Sequence, residues 1–137
     1  EVAHLGRQMK KIISTEKAPA AIGPYSQAVE ANGLVFISGQ LPVDPSTNEF
    51  AGSDIVSQTR MSLTNIRSIL EERGLTMDDV VKTTVFLQDM GEFAEMNEVY
   101  QGFFSGNYPA RAAIEVAALP KGARVEIEAV AASDREA

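Results

Sequence analysis

Apolar residues along this chain recur with two different periods. Short runs rich in β-branched residues, or alternating apolar and polar, predict strands. These are Lys11 to Ser14, Ser26 to Ala31, Leu34 to Gln40, Val80 to Gln88, Arg111 to Val116 and Arg124 to Ala132. Asn32-Gly33 is a two-residue hairpin signal between the second and third. A helical period places Ile55, Val56, Leu63, Ile66, Ile69 and Leu70 on one broad face. That helix starts at a cap on Ser53 or Asp54 and runs to Arg73, with Gly74 as its stop. Phe93, Met96, Tyr100, Phe103 and Phe104, at spacings of three and four, predict a second helix over Glu92 to Phe104. Ala18 to Tyr25, with two prolines and a glycine, is irregular, and Pro42 to Gly52 is a loop dense in turn formers.

The resulting order is β-β-β-α-β-α-β-β, an α+β pattern. Two helices cannot cover both faces of a sheet of six or so strands, so they are expected as one layer on one face of a mixed sheet. No linker or repeat divides the chain, and residues 9–137 are read as one domain. Glu1 to Gln8 is read as a tag remnant or disordered tail, because Met9-Lys10-Lys11-Ile12-Ile13 has the form of a natural start. The strands are apolar on both sides. Val35, Ile37 and Gly39 alternate with Leu34, Phe36 and Ser38; Val81, Val85 and Leu87 alternate with Val80 and Phe86. A sheet with one wet face alternates more cleanly. The second face is therefore expected to pack on another subunit.

Composition narrows the chemistry. The chain has 137 residues, 45% hydrophobic and 23% charged, which suits a soluble domain. No run approaches the ~18 apolar residues of a membrane helix. A net charge of −7 argues against nucleic-acid binding, although twelve Lys and Arg leave room for a local cationic pocket. There is no cysteine, which excludes disulfides, zinc-thiolate sites and thiol nucleophiles. That is compatible with a reducing compartment, and a cytoplasmic location is expected. The single histidine, His4, leaves no multi-histidine metal site or histidine triad to build. Any catalysis must use carboxylates, Arg, Lys, Tyr, Ser, backbone groups and water.

The last two strands carry the candidate groups. Arg111, Ala113 and Glu115 alternate with Ala112, Ile114 and Val116, and Glu126 and Glu128 alternate with Val125, Ile127 and Ala129. The polar sides are expected to line a common surface. On spacing alone, a structural ion pair or solvated charges is the better reading than catalysis. Ser38-Gly39-Gln40 ends a buried strand in a glycine, which permits close backbone approach to a ligand or marks a bulge. Tyr25 sits on the stiff Ile22-Gly23-Pro24 turn, where packing on the core is the plainer reading. No phosphate-binding or dinucleotide glycine motif is present. Glu71-Glu72 and Asp78-Asp79 read as solvated helix-end and turn residues.

Several segments in order resemble the RidA family (reactive intermediate deaminase A, also called YjgF). They are Ala18-Pro19-Ala20-Ala21-Ile22-Gly23-Pro24-Tyr25-Ser26-Gln27-Ala28, then Phe36-Ile37-Ser38-Gly39-Gln40-Leu41-Pro42, then Val81-Lys82-Thr83-Thr84-Val85-Phe86-Leu87. The most diagnostic are Tyr108-Pro109-Ala110-Arg111-Ala112-Ala113-Ile114-Glu115-Val116, Leu119-Pro120 and Val125-Glu126-Ile127-Glu128-Ala129. The resemblance spans Lys11 to Ala132. It implies a chorismate-mutase-like fold and a homotrimer with active sites between subunits. It further implies hydrolysis of 2-imino acids, such as 2-iminobutanoate and 2-iminopropanoate, or their 2-aminoacrylate-type enamine tautomers, to 2-oxo acids and ammonia. No cofactor or metal takes part.

Carried over by motif, Arg111 grips the substrate carboxylate, Glu126 directs water, and Tyr25, Ser38 and Gly39 complete the pocket. Many relatives have cysteine where this chain has Ala113, a position expected to act through its backbone. Two other functions are weighed. One is a non-enzymatic protein that binds small carboxylates for regulation; the other is a ribonuclease or translation inhibitor, which the charge and the lack of a catalytic histidine oppose.

Overall fold

Ile12 and Ile13 lie in β1 (Lys11–Ile13), which pairs antiparallel with β2 (Ala28–Ala31). Asn32 and Gly33 then adopt φ of 53° and 77°, the left-handed pair that a tight hairpin needs, and return the chain as β3 (Leu34–Gln40). The computed structural model describes residues 9–134, so the reading of residues 1–8 as a tail, and His4 with it, lies outside the described residues. The segment expected to be loop holds a small hairpin, β4 (Val43–Asp44) with β5 (Glu49–Phe50), and its dense turn formers supply the bend. Asp54 caps α1 (Ile55–Glu72), its carboxylate accepting from the Ser57 N–H at 3.0 Å.

β6 (Val80–Leu87) leads through a 3-10 turn into α2 (Phe93–Gln101). This helix is shorter than the apolar stripe predicts, because the chain turns out at Gly102. Phe104 still reaches the core from the following turn. β7 (Ala110–Glu115) and β8 (Val125–Ala132) complete one six-stranded sheet in the order β1-β2-β3-β8-β6-β7. Among the described strands only β6 and β7 pair in parallel, joined by the α2 crossover.

Both helices cover one face. Leu63, Ile66, Ile69 and Leu70 of α1 are fully buried, as are Val35, Val85, Leu87, Val125 and Ile127 of the strands. Register assigns the faces. Ile13, Ala28, Ile37, Ala129, Thr83 and Arg111 form one row across the sheet, on the helix side. The adjoining row, Ile12, Val29, Phe36, Val130, Lys82 and Ala110, lies on the open side. There Phe36 is 48% and Ile114 45% exposed beside Lys82, Thr84, Glu126 and Glu128, so in a single chain the second face carries bare apolar residues among polar and charged ones. A register shift between Val80 and Lys82 buries Val80 and exposes Val81, the reverse of simple alternation.

Polar groups buried under α1 pin the loops. Asn65 Nδ2 donates to the carbonyls of Val43 at 2.9 Å and Leu41 at 3.3 Å, just beyond β3. Arg73 closes the other end of the helix onto β2, its Nε and Nη2 donating to Glu30 at 2.6 and 2.9 Å. The Arg73 guanidinium holds the Glu30 carboxyl down to about 2, against an ordinary 4.5. A depressed carboxylate stabilises the fold above its unfolded value, and that contribution is lost as pH falls through the folded value. Arg73→Ala is expected to cost about 0.5–1 kcal/mol at neutral pH, since the arginine is partly solvated. The deficit should shrink as pH falls from 4.5 toward 2, which thermal melts of both proteins would measure.

Candidate active site

Arg111 projects from edge strand β7 toward the helix layer. Its Nη1 donates to Asn97 Oδ1 at 2.6 Å, and its guanidinium lies 4.8 Å from the Tyr100 ring centroid and 5.2 Å from that of Phe93. Phe93, Asn97 and Tyr100 are spaced four and three along α2, so one helix face supplies the whole cradle. Tyr100 and Thr83 share a hydrogen bond at 2.7 Å, and burial raises the phenol above its usual value, keeping it neutral under the cation. The structural ion pair favoured by spacing is not formed. Glu115 Oε1 accepts instead from the Met90 N–H at 2.8 Å. Among the described residues the ion pairs are Arg73 with Glu30 and Arg124 with Glu92. Arg111 therefore faces a cavity of about 390 Å³, shared with Asn97, Tyr100, Gln101, Tyr108 and Pro109, with no carboxylate bound to it.

Glu126 belongs to a second cluster. Pairing of β3 with β8 slips between Ile37 and Gln40, a β-bulge that takes up Ser38 and Gly39. A Cβ on Gly39 would collide with the Glu126 carboxylate, so the missing side chain makes a recess for it. Burial raises the Glu126 pKa above the usual carboxylate value, and the neighbouring charge of Glu128 adds to this. Ser38 is used structurally: its hydroxyl donates to the Ser26 carbonyl at 2.6 Å and its N–H to the Gln27 carbonyl at 2.9 Å. The buried Gln27 side chain ties the preceding loop down. Its Oε1 accepts from Thr15 N–H at 2.7 Å, and its Nε2 donates to the Pro19 carbonyl at 2.7 Å. Tyr25, at the end of that loop, is 53% exposed and not packed in the core, contrary to the plainer reading of it. It lines a cavity of about 320 Å³ together with Gly39.

Arg111 and Glu126 do not share a surface within one chain. Arg111 lies in the helix-side row through Thr83, whereas Glu126, Phe86 and Ile114 form an open-side row. The two strands are also two positions apart, roughly 10 Å at ~4.8 Å per strand. The expected assignment of faces on β7 is inverted, because its register with β6 puts Arg111 and Ala113 beside the core-facing Thr83 and Val85. Ala113 packs against the core from the side read as polar, while Ile114, read as core, is exposed. The candidate residues thus fall into two groups, Arg111 with Ala113 on β7, and Glu126, Ser38, Gly39 and Tyr25 around the end of β3. Sequence reading missed Asn97 and Gln27; the shared helical face with Phe93 and Tyr100 was the available signal for Asn97. Among the described residues, no cluster of three or more His, Cys, Asp or Glu is placed to hold a metal, and no helix is long and apolar enough to cross a membrane.

Residues 15–133 match the family described as Endoribonuclease L-PSP. A mouse protein named 2-iminobutanoate/2-iminopropanoate deaminase is 51% identical over 123 residues, covering 90% of this chain and 91% of its own. The crystal structure of RidA from an Antarctic Psychrobacter superposes with a TM-score of 0.85 at 48% identity, covering 89% of this chain and 98% of that one. Escherichia coli TdcF with bound serine gives 0.86 at 46% identity, covering 92% and 99%.

Proposed function

This chain belongs to the Endoribonuclease L-PSP family, which takes in the RidA proteins, and we propose that it is a cytoplasmic deaminase that hydrolyses 2-imino acids to 2-oxo acids and ammonia. The observation that carries this reading is the Arg111 guanidinium, oriented by Asn97 and two aromatic rings yet without a carboxylate partner among the described residues. Arginine clamps a carboxylate through two charge-assisted hydrogen bonds and stays charged in a cleft. The names of the mouse relative and of serine-bound TdcF point to small acids of this kind.

With the carboxylate held, the imine carbon is fixed against a water. Glu126 accepts a proton as the water oxygen bonds to that carbon and returns it to the nitrogen. The C–N bond then breaks, ammonia leaves and the carbonyl forms. Imine plus water balances oxo acid plus ammonia, so this chemistry calls for no cofactor. Because Arg111 and Glu126 face opposite ways, the working unit is proposed to be a homotrimer in which the two half-sites meet across each subunit boundary. The exposed Phe36 and Ile114 of the open sheet face support such packing. RNA cleavage, the activity in the family's name, is opposed by the net charge of −7.

The test generates an imine with an amino-acid oxidase and follows its decay. Equal decay with and without the protein would sink the proposal, and tight 2-oxo acid binding without turnover would favour a receptor. Activity should fall as Glu126 is protonated, so the acid limb of the rate profile should lie above the usual carboxylate value of 4.5. Glu128→Gln should move that limb down by removing the neighbouring negative charge. Gly39→Ala should displace Glu126 and lower turnover by about 10²-fold, as an ångström of misplacement does. Its affinity for a 2-oxo acid should change much less.

A further inference from the structure

The cavity shared by Tyr25 and Gly39 has one charged residue in its lining, Lys121. Lys121 makes no ion pair among the described residues. Its backbone is left-handed, φ 57° and ψ 23°, in the Pro120-Lys121-Gly122 turn, and Gly122 follows at φ 70°. A lysine is disfavoured in that conformation, and such positions are held only where surrounding structure determines them. Here the Ala123 N–H bonds to the Pro120 carbonyl at 3.1 Å and Ala123 is fully buried, so the turn is locked from behind. The Arg111 cavity has the same character, with one cation and no acidic residue in its lining. Each cavity therefore has a single cation in its lining that forms no ion pair among the described residues, with the Glu126 carboxylate behind Gly39 in the second, on a protein of net charge −7.

We propose that Lys121 is a second anion-recognising residue of the substrate site, a specificity determinant that admits imino acids carrying a side-chain carboxylate. This rests on the reading of the two half-sites as walls of one cleft. The partner subunit's Arg111 would hold the carboxylate beside the imine, and Lys121 would meet the one at the far end of the side chain. A monocarboxylic substrate would leave Lys121 to water. The unreactive product analogues 2-oxopentanoate and 2-oxopentanedioate isolate this effect, because they have the same five-carbon chain and differ only in the terminal group.

Calorimetric binding of both acids should be measured on the full chain, on Lys121→Gln and on Lys121→Arg. Gln and Arg accept the left-handed turn no better and no worse than lysine, so the pair separates charge from backbone strain. The preference for the dicarboxylate over the monocarboxylate should fall by up to about fivefold in Lys121→Gln, as loss of one partly solvated charge contact predicts, and return in Lys121→Arg. An unchanged preference in Lys121→Gln overturns the proposal, and so does equal weakening of both acids, which would make Lys121 a general attractor of anions. Binding with the predicted preference but no imine turnover would retain Lys121 and reject the deaminase. Failure of the full chain to bind either acid would overturn the Lys121 proposal, while imine decay measured beside it decides the deaminase separately.

Discussion

Arg111→Ala is expected to lower kcat/KM for imine hydrolysis by about 10²- to 10³-fold. Truncating one partner of a desolvated, hydrogen-bonded charge pair costs roughly 2–5 kcal/mol, and each 1.36 kcal/mol is a factor of ten in rate. The fold should lose little. In the free chain Arg111 gives up one hydrogen bond to Asn97 and its stacking on Tyr100 and Phe93, and no ion pair is broken. The melting temperature should therefore fall by only a few degrees. The substitution Arg111→Lys would keep the charge but not the planar fork, so recovery should be partial. Imine decay measured beside thermal melts separates these outcomes, and a full rate in Arg111→Ala would remove the basis for the proposed activity.

Mixing two inactive proteins should restore activity. In a trimer of Arg111→Ala and Glu126→Gln subunits, a boundary works when the intact Arg111 of one chain meets the intact Glu126 of the next. Every mixed trimer has one such boundary of its three, and random assembly from equal amounts makes three-quarters of the trimers mixed, so about a quarter of the original activity should return. The two proteins must be unfolded and refolded together, with separately refolded samples combined afterwards as the control. No recovery on co-refolding would mean that both residues serve a site within one chain, a geometry that their opposite faces disfavour.

Local signals made much of the fold legible. The Asn32-Gly33 turn, the Asp54 cap and the α1 stripe depend on neighbours in sequence, and each falls where expected. Helix α2 runs shorter than its stripe because Phe103 and Phe104 reach inward from a turn, which apolar spacing cannot tell from a helix. At the site, the glycine of Ser38-Gly39-Gln40 marks the bulge it suggested, and its missing side chain makes room for the Glu126 carboxylate, which lies on another strand and so was not legible locally. The face of β7 was misread because alternation tells which residues share a side and not which side the helices cover. The freedom of Arg111 was equally hidden, since it depends on Glu115 turning to the backbone of Met90, twenty-five positions away.

The recess at Gly39 has an evolutionary consequence. Every other amino acid brings a Cβ to that position, so any coding change there evicts the Glu126 carboxylate while leaving Arg111, on the other half-site, untouched. On the proposed reading, a single nucleotide change would separate a hydrolase from a receptor that still holds the same acids. Lineages descended from such a scaffold can trade turnover for sensing without rebuilding the pocket, and the residue at this one position is where that history would be written.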